Sequence, residues 1–145
     1  TEYGHVIPSL IKKFYDAKKK GELVPVWGTG AAVRDFSYSL DTARALVCLM
    51  DKGEGAVNIG SGFVHSIKDI VDVLCKFTGC EVVWQKEKPN GQLERYYDLS
   101  KLKSLGFEAK VPLQTGLEKV YEWYQIQKGV ENECGRIGNR SHCCL

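Results

Sequence analysis

The chain has 145 residues, of which 43% are hydrophobic and 26% charged, and a formal net charge of +2. That is about one domain, long enough to bury a core. The near-neutral balance argues against a nucleic-acid or anionic-membrane binder, and no apolar run approaches the roughly 20 residues of a membrane helix.

The first element is a helix over His5–Lys20, with Pro8 tolerated in its opening turn. Val6, Ile7, Leu10, Ile11 and Phe14 form an apolar stripe, and the run Lys18–Lys20 suits the C-terminal end of the dipole. Leu23–Trp27 reads as a strand and Arg34–Tyr38 as extended chain. A helix follows over Ser39–Lys52, with Leu40, Ala43, Val47 and Met50 at helical spacing. Ala56–Ile59 reads as a short strand ending in Gly60-Ser61-Gly62. Ser66-Ile-Lys-Asp69 resembles a capping box and opens a helix that turns Ile67, Ile70, Val71, Leu74 and Phe77 inward and stops at Gly79. Glu81–Gln85 is the next strand, Lys88-Pro89-Asn90-Gly91 a turn, and Leu99–Leu105 a short helix ending at Gly106. Leu113–Lys128 is the last helix, carrying Leu117, Val120, Tyr121 and Tyr124 on one face. Strands alternating with helices through short Gly/Pro turns argue for an α/β fold over residues 1–128. Residues 129–145 lack an amphipathic period and read as a disordered tail.

Cys48 and Cys75 fall inside apolar helical patterns, so free thiols in a reducing compartment are the expectation. Cys134, His142, Cys143 and Cys144 invite a zinc reading, but adjacent cysteines do not easily span a tetrahedral site, so no metal is expected. Gly60-Ser-Gly62-Phe-Val-His65 has the context of a dinucleotide fingerprint, yet His65 stands where its third glycine should be. A plain strand-to-helix turn is the better reading. Tyr-x-x-x-Lys occurs three times, at Tyr15/Lys19, Tyr97/Lys101 and Tyr124/Lys128, and is read as fortuitous. Trp27 and Arg34 flank a glycine loop at Gly28 and Gly30; a flat aromatic and a forked cation suit a ring and a phosphate. A hairpin with a core Trp and a surface Arg would produce the same stretch. His5, at a helix start, is the histidine best placed for acid–base work, although such residues are usually solvated or capping.

Taken in order, His5-Val-Ile-Pro, Val26-Trp-Gly-Thr-Gly30, Arg34-Asp-Phe and Asn58-Ile-Gly-Ser-Gly62 resemble the C-terminal half of the extended short-chain dehydrogenases. Lys88-Pro-Asn-Gly-Gln, Tyr97-Asp-Leu-Ser-Lys-Leu and Leu113-Gln-Thr-Gly-Leu narrow the resemblance to the GDP-L-fucose synthase branch. The resemblance implies a substrate-binding cap domain, plus the last helix (Ser39–Lys52) and strand (Ala56–Ile59) of a Rossmann-type sheet, with the N-terminal cofactor half missing. It implies 3,5-epimerisation of GDP-4-keto-6-deoxy-mannose and reduction of its C4 ketone with NADP(H), by a cytoplasmic homodimer. By the same resemblance His5 is catalytic, returning a proton to carbon. Trp27, Arg34 and Lys88 bind the GDP-sugar, with Lys13 standing where the family usually carries an arginine. The chain holds no Gly-x-x-Gly-x-x-Gly and no serine-supported Tyr-x-x-x-Lys, so no cofactor is expected to bind it alone, and an exposed apolar surface is expected where the missing half would pack. The alternatives are an epimerase or dehydratase acting on a UDP or dTDP sugar, and a truncated sugar-nucleotide binding module without chemistry.

Overall fold

A computed structural model describes residues 5–137, with side chains through residue 129. Its elements are α1 (Val6–Lys20), β1 (Val24–Trp27), β2 (Val33–Asp35), α2 (Ser39–Lys52), β3 (Val64–Ser66), α3 (Ile67–Thr78), β4 (Val82–Gln85), α4 (Ser100–Ser104) and α5 (Leu113–Ile137). The local signals for these elements are physical. α1 ends at Gly21, whose φ of 68° takes the left-handed cap that a Cβ would disfavour. α3 begins with a complete capping box: Asp69 N donates to Ser66 Oγ and Ser66 N donates to Asp69 Oδ2. Gly79, at φ 74°, closes it.

β1 and β4 pair in parallel, in the register Val24↔Val82 to Trp27↔Gln85. One face of β1 carries Val24 and Val26 into the core, where α1, α3 and α5 cover them with Leu10, Ile11, Phe14, Ile70, Val71, Leu74, Leu117 and Tyr121. Edge-to-face ring contacts, Tyr15 with Tyr124 and Phe77 with Tyr121, both at 5.2 Å, lock α5 onto α1 and α3. The other strand side chains, Pro25 and Trp27, face outward. β2 and β3 form a separate antiparallel pair, in which Arg34 stands opposite His65.

The α/β class holds, but several local expectations need correction. Residues 56–60 form no strand. A strand exists only against a partner, and among the described residues none pairs with this segment; Asn58 instead donates to Asp98 O. β3, which sequence reading missed, arises because Val64–Ser66 finds β2 as its partner. Tyr38 is the N-cap of α2 and makes no side-chain cap bond; the acid of the first turn, Asp41, is the anchor. α5 runs to Ile137, well past Lys128; once a helix is nucleated, each residue added to its end gains a backbone bond. The tail expectation for residues 138–145 and the zinc reading on His142, Cys143 and Cys144 lie outside the described residues, as does the side chain of Cys134.

α2 buries little beyond Asp41 and Ala45, and leaves Leu40, Leu46, Val47 and Met50 exposed, Met50 by 84%. This is the exposed apolar surface that the sequence led us to expect. No helix among the described residues is long and apolar enough to cross a membrane.

Candidate functional site

β1 delivers Trp27 to the C-terminal end of the parallel pair, where the indole is 48% exposed. Two ammonium groups approach its ring: Lys13 Nζ at 5.5 Å from the centroid and Lys88 Nζ at 5.7 Å. Both are within cation–π range. Lys13 reaches there from α1 and donates to Pro25 O at 2.9 Å, and burial pushes its pKa below the ordinary lysine value. Lys88 comes from the loop after β4, 61 residues beyond Trp27 in the chain.

That loop is fastened on both sides. Thr29 N and Oγ1 donate to Asn90 Oδ1 at 2.7 and 3.1 Å. Two and three residues beyond Asn90, Arg34 donates to Gln92 O and to Leu93 O, and Val33 N donates to Leu93 O at 2.7 Å. Arg34 Nη1 also donates to Val33 O at 2.7 Å. Three of the five guanidinium N–H donors are therefore engaged with backbone carbonyls. Arg34 thus holds the loop to β2, and among the described residues its Nε–H and one Nη2 proton make no hydrogen bond.

Gly28 has φ 75°, and a Cβ there would stand 2.2 Å from Asn90 Oδ1. Gly30 has φ 78° and would meet the Trp84 ring at 2.6 Å. The glycines flanking Thr29 are thus needed to bring backbone close to the lysine loop and to β4. Lys13, Trp27, Arg34 and Lys88 are joined around this loop. His5 is not joined to them: it holds the N-terminal position of α1, exposed and without a side-chain cap bond, about 12 Å of helix before Lys13.

Asp35, beside Arg34, is a polar anchor that the sequence did not reveal. Its Oδ1 accepts from Ser61 N at 2.9 Å and from Ser61 Oγ at 2.7 Å, and its Oδ2 from Gly62 N at 2.8 Å. The amides of the Gly60–Gly62 turn, the kind that cradle a phosphate, are committed to the chain's own carboxylate. Asn90 was hidden in the same way, since Asn before Gly reads simply as a turn. A cleft of about 470 Å³ runs between Gly60–Phe63 and Leu99–Ala109 and is lined by none of the five predicted residues.

The Tyr-x-x-x-Lys pairs also find structural roles. Lys19 Nζ sits 4.6 Å over the Tyr15 ring and Lys128 Nζ 5.8 Å over the Tyr124 ring. Lys101 ties α4 to the segment after α2 by donating to Glu54 O and Ala56 O.

Residues 1–60 match the family model of the NAD dependent epimerase/dehydratase family. Within it, the likeness is to GDP-L-fucose synthases. GDP-L-fucose synthase 1 of Arabidopsis thaliana is 40% identical over 140 residues, covering 93% of this chain and 42% of that protein. The crystal structure of a GDP-L-fucose synthetase from Naegleria fowleri bound to NADP superposes with a TM-score of 0.79 at 25% identity, over 87% of this chain and 41% of that one. The NADP-bound GDP-mannoheptose C4 reductase of Campylobacter jejuni superposes with a TM-score of 0.72 at 30% identity, over 84% and 45%. The chain therefore spans about two fifths of the length of the curated relatives it matches.

Proposed function

We propose that this chain supplies the sugar-nucleotide side of a GDP-L-fucose synthase-type enzyme, which epimerises C3 and C5 of GDP-4-keto-6-deoxy-mannose and reduces its C4 ketone. The observation that carries the reading is the half-exposed Trp27 ring flanked by the ammonium groups of Lys13 and Lys88. A flat ring beside two cations offers stacking to a base and charge to a diphosphate in one place. Arg34 adds its two remaining N–H donors from the β2 side. His5 acts as the general acid that returns a proton to carbon, since protons alpha to a ketone are acidic enough for side-chain exchange.

NADP(H) supplies the hydride in the complete enzyme. The Gly60–Gly62 turn does not fit that cofactor, because a dinucleotide phosphate there would meet the Asp35 carboxylate already bound to it. We therefore assign no reduction step to this chain. The complete enzyme is read as a homodimer acting on a GDP-sugar.

Calorimetric titration of the 145-residue chain with GDP, UDP and NADPH tests the reading. GDP-selective heat, weakened in Trp27→Ala and Lys88→Ala, is expected. Arg34→Ala is a poorer probe, because it also frees the Gln92–Leu93 backbone. Equal heats with UDP would favour an epimerase or dehydratase of another nucleotide sugar. No heat with any nucleotide would overturn the binding role.

A further inference from the structure

We propose that Asn90 is a positioning residue of this nucleotide shelf, tying the lysine loop to the Gly28–Thr29 turn and so holding the Lys88 ammonium over the Trp27 ring. The proposal rests on the sugar-nucleotide reading above. Lys88 itself is exposed, and its side chain has no hydrogen bond to the rest of the fold among the described residues. A lysine side chain with that freedom loses conformational entropy when it engages a ligand, so a fixed loop raises its effectiveness.

Asn90 provides that fixing from a single atom. Oδ1 accepts both the amide and the hydroxyl of Thr29, the second residue after Trp27. The fit is specific: with Gly28 replaced by any residue bearing a Cβ, that atom would fall 2.2 Å from the same oxygen. Pro89 disfavours helical backbone at Lys88, and Gly91, at φ 72°, turns the chain back so that Gln92 and Leu93 reach Arg34 and Val33. The loop is thus pinned at Asn90 on the Trp27 side and at Gln92–Leu93 on the β2 side. Lys88 N also donates to Gln85 O at 3.0 Å, so removing the Asn90 pin leaves the loop held at its start by that bond and at its far end by Gln92–Leu93, with no tie to the Gly28–Thr29 turn beside Trp27.

The test is a double-mutant cycle on GDP affinity, measured calorimetrically with the 145-residue chain, between Asn90→Ala and Lys88→Ala. Coupled residues are non-additive, whereas a residue acting only through fold stability adds its effect. Each single variant is expected to weaken GDP binding, Lys88→Ala by about tenfold and Asn90→Ala by a similar or smaller factor. The double variant is expected to bind no more weakly than Lys88→Ala. Additive losses, or an Asn90→Ala variant that binds like the parent, would overturn the positioning role while leaving the shelf intact. Failure of the parent chain to bind GDP, or indifference to Lys88→Ala, would overturn the shelf itself and the positioning role with it. If Asn90→Ala does not unfold cooperatively, Asn90→Ser replaces it in the cycle, its hydroxyl being too short to span to Thr29, with the same two outcomes.

Discussion

Asp41→Ala should detach α2 from the body of the fold. Asp41 is 3% exposed, yet it makes three bonds: Oδ2 accepts from Val111 N at 2.8 Å and from Lys110 N at 3.0 Å, and Oδ1 from Arg44 Nη1 at 3.0 Å. Alanine would leave two partly buried amides without an acceptor, at about 1–3 kcal/mol each. The Arg44 bond adds little, since that side chain is 45% exposed. The expected loss is about 2–5 kcal/mol, a large share of the 5–15 kcal/mol that holds a domain folded. Asp41→Asn keeps one acceptor oxygen and should lose about 1 kcal/mol.

Urea unfolding gives the global loss, and amide exchange should show it concentrated in α2 and residues 110–112. The pH dependence supplies a second check. Burial opposes the Asp41 charge, but the Val111 amide, the Arg44 guanidinium and the Lys110 amide outweigh it and hold the carboxyl below the usual aspartate range. A depressed carboxyl contributes stability that is present above the unfolded value of 3.8 and is lost as pH falls through the lower folded value. The gap between the parent and Asp41→Asn should therefore narrow below about pH 3.8. An Asp41→Ala variant within about 0.5 kcal/mol of the parent would refute the reasoning, because that is the scatter of neutral surface changes.

Three further outcomes are expected. Tyr121 is 3% exposed and its hydroxyl has no hydrogen-bond partner among the described residues, so Tyr121→Phe should be neutral or stabilising by up to about 1 kcal/mol in urea unfolding; a clear loss would mean the hydroxyl has a partner. Ser66→Ala should cost about 1 kcal/mol by removing half of the α3 capping box, while Gly79→Ala, strained at φ 74° with open space around it, should cost a similar amount; thermal unfolding reads both. Val47→Lys with Met50→Glu should leave the unfolding midpoint unchanged and lower both dye binding and light scattering, because these side chains lie on the exposed apolar face of α2. A lowered midpoint would show that this face packs within the chain.

The helices were legible from sequence because their bonds are internal. Hydrophobic spacing placed α2 at Ser39–Lys52, and Ser66 with Asp69 announced the start of α3 through a bond spanning three residues. The resemblance carried by Trp27, Arg34 and Lys88 was legible too, since those residues sit in short contiguous motifs. What only the tertiary structure decided are relations between distant segments. Ala56–Ile59 has strand-like residues, yet it makes no strand without a neighbour to complete its ladder, whereas Val64–Ser66 becomes one against Val33–Asp35. Arg34 reads as a ligand cation, and folding gives it a second task in holding the Gln92–Leu93 backbone. Asn90, Asp35 and Asp41 look like turn or surface residues until folding brings partners 61, 26 and 69 positions away within hydrogen-bond reach. A side-chain acceptor has no periodicity of its own, so its partner is set by the packing of whole elements.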